Sequence, residues 1–232
     1  LEYITSDILR LYHEVRFQKS WGEEKISDYS EIKDKLIYRL VNLKANTEML
    51  KKVPYISYLD LAIVFCVLLE VNRYGTATMP VRNEHLDMWE VSKKKLYRRA
   101  RENTSRLLPD EFSSMSAVIE EISCEMFGES EAEDTKCGED DMYVLSNRLR
   151  SYGAAVILYE GRLKAIGMYL KSNYYVLPSS VHEVIVVPEG AAPGKEELSA
   201  LVAEINQTQV EAEEVLSDRA YYYDREKGRL CM

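Results

Sequence analysis

Ser179, Ser180, His182 and Glu183 carry the most chemical promise in the chain, and they sit together between two short apolar runs. A serine near a histidine and a carboxylate is the raw material of an acyl-transfer site. The ring takes the hydroxyl proton and the carboxylate orients the ring. Spacing limits that reading. In an extended chain, successive side chains point to opposite faces, so Ser180 and His182 can share a face while His182 and Glu183 diverge. The plainer reading is that the serines satisfy backbone groups at a turn and His182 bonds locally.

Other recognisable chemistry is sparse. Gly153, Gly161 and Gly167 lack the spacing of a phosphate loop, and no Lys-Ser or Lys-Thr pair follows them. No Gly-x-Ser-x-Gly elbow is present. The histidines are His13, His85 and His182, with no pair at metal-ligand spacing. Cys66, Cys124, Cys137 and Cys231 form no knuckle. No cofactor or metal site is therefore expected.

A second candidate lies on a basic helix. Ser92 reads as its N-cap, Leu96, Ala100 and Leu107 as its buried face, and Lys93, Lys94, Lys95, Arg98, Arg99, Arg101 and Arg106 as its outer face. With the short helix Asn83–Trp89 and the turn at Glu90-Val91-Ser92, it has the outline of a helix-turn-helix, with Lys94, Arg98 and Arg101 as the nucleic-acid candidates. The competing reading is a solvated face.

The serine-histidine segment is positioned by its flanks. Tyr174–Leu177 and Val184–Val187 are too short for helices and rich in β-branched and aromatic residues, so both read as strands. Pro178, Ser179 and Ser180 separate them, and Pro188 ends the second. Val184–Val187 is apolar at every position, which predicts a central strand covered on both sides.

Elsewhere, Ile4, Ile8, Leu11 and Val15 give an amphipathic helix. Ser30 is expected to cap a second helix with Ile32, Leu36 and Leu40 inward, and Thr47–Leu50 adds a turn. Asp60–Val71 and Thr76–Val81 read as a hairpin around Asn72-Arg73-Tyr74-Gly75, with Asn83 as the next N-cap. Met115, Val118, Ile119, Ile122 and Met126 mark a helix. Met142–Ser146 and Ala154–Tyr159 read as strands, and Leu163, Ile166 and Leu170 as a helix. Pro193 opens another helix, with Leu198, Leu201, Val202 and Ile205 inward. Arg219–Tyr223 and Arg229–Met232 form a closing hairpin.

These elements predict an α+β fold. N-terminal helices, a β-hairpin and a helix-turn-helix-like pair are followed by a largely antiparallel sheet in the order ββαββαββ, with helices on one face. The net charge of −9 comes from one stretch: ten acids between Glu120 and Asp141 face only Lys136. That composition cannot order itself by burial, so 128–141 is expected to be a mobile acidic linker between a helical part with a hairpin, 1–127, and an α+β part, 142–232, unless all of it is one domain. The longest apolar run, Leu61–Leu69, is too short for a bilayer. Scattered thiols and the lack of a signal segment point to a cytoplasm. The chain begins at Leu1 rather than Met, so a longer parent is expected.

Several motifs carry a resemblance. They include Val53-Pro54 with Leu59–Phe65, Met88-Trp89-Glu90-Val91, and Asn103-Thr104-x-x-Leu107-Leu108-Pro109. Further along are Met142–Asn147, Tyr152-Gly153-Ala154-Ala155, Leu177–Ile185 and Val215-Leu216-Ser217-Asp218. Over nearly its whole length the chain resembles an uncharacterised bacterial domain-of-unknown-function family, frequent in gut Firmicutes. The resemblance implies a further segment upstream of Leu1 and a bacterial cytoplasmic protein. It implies no activity, cofactor or catalytic residue.

Three functions are then in play. The leading one is a non-enzymatic interaction or regulatory module, with a protein partner expected in preference to nucleic acid; the 17 tyrosines would suit a binding face. The alternatives are a hydrolase-like enzyme using Ser180 and His182, with Glu183 as the nearby acid, and a nucleic-acid binder through residues 93–106.

Overall fold

Leu61 to Leu68 is buried at every position, and alternate residues go to different cores. Leu61, Ile63, Phe65 and Val67 face the main core; Ala62 and Val64 face one smaller cluster, and Cys66 and Leu68 another. A run apolar on both faces can satisfy itself only as an inner strand, and the fold is arranged on each side of it. The structure is a computed structural model and describes residues 26–72, 75–127 and 141–232. The expected helix at Ile4–Val15, most of the acidic stretch and the tip of the first hairpin lie outside the described residues.

In chain order the elements are α1 (Tyr29–Ile32), β1 (Leu36–Asn42), α2 (Thr47–Leu50), β2 (Tyr55–Tyr58), β3 (Leu61–Asn72) and β4 (Gly75–Pro80). They continue with α3 (Asn83–Met88), α4 (Lys93–Leu107), β5 (Asp110–Ser114), α5 (Met115–Phe127), β6 (Tyr143–Asn147) and α6 (Arg162–Leu170). The last are β7 (Tyr174–Leu177), β8 (Val184–Pro188), α7 (Lys195–Thr208), β9 (Tyr221–Asp224) and β10 (Arg229–Cys231). The fold is α+β. Among the described residues one sheet has the order β1-β3-β2, with β4 also on β3, and the other has the order β10-β9-β7-β8-β6-β5. All strand pairs among the described residues are antiparallel.

Two expected elements are corrected. The helix over Ile32, Leu36 and Leu40 is only one turn; Lys33–Lys35 tightens to a 3₁₀ turn and β1 follows. Leu36 and Leu40, four apart, also share one face of a strand, and Leu36–Val41 pairs with β3 and is buried except at Arg39. The cap of α1 is Asp28 rather than Ser30: its carboxylate accepts the Ser30 N–H at 2.8 Å. The strand expected at Ala154–Tyr159 is a 3₁₀ helix, Gly153–Leu158. Gly153 is wedged so tightly that a Cβ would collide with Ser146 Oγ and the His182 carbonyl. Ala154, Ala155, Val156 and Ile157 are all buried, so no polar face existed to reveal a period.

Smaller differences concern helix starts. Arg82 rather than Asn83 occupies the N-cap of α3, because the Asn83 side chain donates to the Lys51 carbonyl at 3.1 Å instead. Pro193 precedes the Gly194 cap of α7. Leu107 is half-buried, whereas Asn103 and Thr104 join Leu96 and Ala100 on the inner face of α4. There they hold β1: Thr104 Oγ1 accepts the Tyr38 N–H at 3.1 Å, and Asn103 Nδ2 donates to the carbonyls of Lys33 and Leu36. The polar strands β2 and β5 were not foreseen.

The six-stranded sheet is covered on both faces rather than one. Val184 and Val186 of β8 enter the main core with α6 and the four-stranded sheet. Val187, one residue out of phase, packs with Leu198 and Val202 of α7. This fits the doubly apolar sequence of β8. Strand β5, which precedes the acidic stretch, pairs along its length with β6, which follows it. The main core draws on residues from both sides of that stretch.

A polar tie also joins the sheets. Asp60, before β3, accepts hydrogen bonds from the Ser217 hydroxyl at 2.7 Å and from the Tyr221 hydroxyl. Asn42 Nδ2 donates to the Leu216 carbonyl at 3.0 Å beside it.

Candidate functional site

The loop Pro178–Glu183 between β7 and β8 is held like a strand. Val181 N–H donates to the Glu214 carbonyl, and Leu216 and Ser217 N–H donate to Ser179 and Pro178, all at 2.9 Å. Ser180 and Val215 form a bridge. This ladder sets Ser180, His182 and Glu183 at one end of the six-stranded sheet. With Arg150, Gln209, Val210 and Glu214 they line a cleft of about 440 Å³.

The three sequence candidates converge on that cleft, but their bonds follow another plan. Ser180 Oγ accepts the backbone N–H of His182 at 3.0 Å, and its hydroxyl bonds the Glu183 carboxylate. The imidazole is engaged on both sides. Nδ1 accepts the Tyr152 N–H at 3.4 Å, which places the proton on Nε2, and Nε2 faces Glu214 Oε1 at 3.2 Å. The ring stacks on Tyr152, 5.6 Å between centroids, and the Arg39 guanidinium lies 4.7 Å above the other ring's centroid. Ser146 Oγ donates to the His182 carbonyl at 2.7 Å. A nucleophile needs its base within reach of the hydroxyl; here Ser180 reaches a backbone amide and a carboxylate.

The electrostatics are mixed. Burial pushes the Glu183 carboxyl above its ordinary range, while His182 and the Ser180 hydroxyl pull it back. Arg150 pairs with Glu121 of α5 and stands 3.8 Å from Glu111 of β5, so it ties the cleft to the sheet edge. Arg150 and Tyr152 both adopt left-handed backbone conformations, φ 48° and 53°. Their strain turns the chain back under the His182 ring. Arg150, Tyr152 and Glu214 were missed by sequence reasoning. No local pattern marks them, since each reaches His182 or Glu183 only through tertiary packing.

The basic face of α4 is largely paired within the molecule. Arg99 bonds Asp34 at 2.6 Å and Glu102 at 3.2 Å, and Arg101 pairs with Glu160 at 3.1 Å. Arg106 donates to the Asp34 carbonyl at 3.1 Å. Lys93 and Lys95 lie over the rings of Tyr55 and Tyr29. Lys94 and Arg98 stand exposed. The inner face of α4 packs on β1, so the helix is first of all a cover for the four-stranded sheet.

Among the described residues, no group of three or more His, Cys, Asp or Glu side chains could hold a metal ion. None of the described helices is long and apolar enough to cross a membrane.

The fold is thus that of an α+β protein with a polar cleft at one end of its six-stranded sheet. The chain belongs to a family of unknown function (DUF5688), whose model matches residues 1–225. No curated protein and no solved structure matched the chain.

Proposed function

We propose that the chain is a non-enzymatic interaction or regulatory module, working in a cytoplasm on a protein partner. The observation that carries this reading is α5. Ile119 and Ile122, one turn apart on its apolar stripe, are 57% and 45% exposed. A 13-residue helix gains little from its own backbone in water and depends on what its apolar face covers. A stripe left open is what a partner would bury. Exposed Glu120 lies beside it, so the fitting partner offers an apolar surface edged by basic residues.

The test is a photo-crosslinker placed at Ile119, followed by purification of the captured protein and titration against the parent and an Ile119→Glu/Ile122→Glu variant. Binding to the parent at one-to-one stoichiometry, lost in a variant that melts like the parent, is the expected result. A variant that melts far below the parent would make the stripe an internal packing surface and end this reading, as would equal binding by both chains.

One observation favours a hydrolase-like alternative: Ser180, His182 and Glu183 share a cleft open to solvent. The occupied imidazole weighs against it. For a nucleic-acid binder, Lys94, Arg98 and Arg101 remain the candidates, but Arg101 already faces Glu160.

A further inference from the structure

A second concavity, of about 720 Å³, opens at the other end of the six-stranded sheet, where α6 meets the starts of β7 and the β9–β10 hairpin. Its wall is one stripe of α6. Lys164, Met168 and Lys171 recur at four- and three-residue steps and so lie on one face. Lys171 ends the helix in a left-handed turn, φ 56°, and the chain enters β7 through Ser172 and Asn173.

Arg225 comes to this stripe from the hairpin. A Cβ on Gly167 would lie 3.2 Å from Arg225 Cγ and 3.3 Å from the Tyr223 ring, so the arginine stem rests on the helix where no side chain stands. Asn173 fixes the arginine backbone by accepting its N–H at 3.1 Å. Three cations from two elements thus converge on one basin.

The same wall holds three acids, of which Asp224 alone is ion-paired among the described residues. Asp224 is held by the Lys227 ammonium at 2.6 Å and the Lys227 N–H at 3.0 Å. Glu189 accepts from the Tyr222 hydroxyl at 2.7 Å and from Asn173 Nδ2 at 3.2 Å. Glu226 is exposed. Lys164, Lys171 and the Arg225 guanidinium have no ion-pair partner among the described residues. The carbonyl end of a helix attracts a cation, which accounts for Lys171. It accounts neither for Lys164, two turns back, nor for Arg225. The Ser172 hydroxyl, in the same wall, is buried with no hydrogen-bond partner among the described residues, and a buried donor of that kind calls for one.

We propose that this basin binds a small molecule bearing a phosphoryl group beside an apolar or aromatic body. A guanidinium fork that shares one basin with two lysines suits a phosphoryl oxygen set. The basin has the volume of a small-molecule site and exceeds what a bare phosphate fills. Exposed Met168 supplies apolar surface next to the cations, above a floor where Tyr223 is buried. This site does not depend on the partner reading of α5.

Calorimetric titration with inorganic pyrophosphate and with a nucleoside diphosphate, at low salt and without divalent metal, tests the proposal. The nucleoside diphosphate should bind saturably and more tightly than pyrophosphate. Arg225→Glu and Lys171→Glu should each weaken it by at least about tenfold. Gly167→Ala, which changes no charge, should weaken it severalfold by displacing the arginine stem. Lys164→Glu, a fully surface change, gives the same test if another variant melts early. The proposal is overturned by absence of saturable binding, by pyrophosphate binding as tightly as the nucleotide, or by affinities unchanged in these variants. It is equally overturned if Lys94→Glu, on the distant basic helix, weakens binding as much.

Discussion

His182 and Glu214 face each other at 3.2 Å across two loops, with the imidazole proton fixed on the side of the carboxylate by the Tyr152 amide. The ring therefore acts as a bracket between the 150–153 turn, the 178–183 loop and the 211–216 segment. His182→Ala leaves the Tyr152 amide without its acceptor and Glu214 without its donor, and should cost about 1–3 kcal/mol. His182→Gln keeps one local bond and should cost less. Thermal melts of both variants check this. Two variants that melt with the parent would show that the ring holds nothing together, and would make a screen for hydrolase activity worthwhile.

Glu183 should make stability depend on pH in an unusual direction for a carboxylate. Burial raises its folded-state pKa above the ordinary value. The sign follows: the native state holds the proton more tightly than the unfolded chain, so this group's contribution is full below the unfolded pKa and is lost as pH rises through the folded one. Glu183→Gln should accordingly raise the melting temperature at pH 7 and leave it nearly unchanged near pH 4. A variant less stable than the parent at pH 7 would contradict this.

The tie from Asp60 to Tyr221 joins the two sheets. Burial and the carboxylate push the phenol well above its ordinary ionisation range, so the tyrosine stays a donor. Tyr221→Phe keeps the ring and removes one bond to a charged acceptor, with an expected loss of about 1.5–3 kcal/mol. Denaturant unfolding should show a lower midpoint with an unchanged slope. A midpoint equal to the parent's would mean that Ser217 alone satisfies Asp60.

The exposed pair on α4 gives a fourth expectation. Lys94 and Arg98 are exposed, so changing both to Glu should shift stability by about 1 kcal/mol or less. Nucleic-acid affinity should be undetectable before and after. Salt-dependent binding by the parent chain that disappears in the double variant would instead restore the DNA-reading interpretation.

The fold was legible where spacing or punctuation marks it. The amphipathic α4 follows from helical spacing, the hairpin of β3 and β4 from the turn chemistry of Asn72-Arg73-Tyr74-Gly75 between two β-rich runs, and β8 from a short β-branched run bounded by turn residues and Pro188. Ile32, Leu36 and Leu40 misled because steps of four suit one face of a helix and one face of a strand equally. Ala154 to Ile157 misled for the opposite reason, since a segment buried all round has no period. Strand β5, Asp-Glu-Phe-Ser-Ser, is a polar edge whose only signature is its partner β6. The cleft was half legible. Ser180, His182 and Glu183 meet where the sequence put them, but Glu214, Arg150 and Tyr152 decide what their atoms bond to, and contacts so distant in sequence leave no trace in local spacing.

The pairing of β5 with β6 makes the connection through residues 128–140 thermodynamically modest. Both ends are already anchored in one sheet and one core, so the covalent tether mainly supplies effective concentration. Two separately produced fragments ending at Phe127 and beginning at Asp141 should therefore reassemble into a complex with the parent's circular dichroism, as a split reporter does. Their dissociation constant would then measure how much of the molecule's cohesion resides in the seam itself.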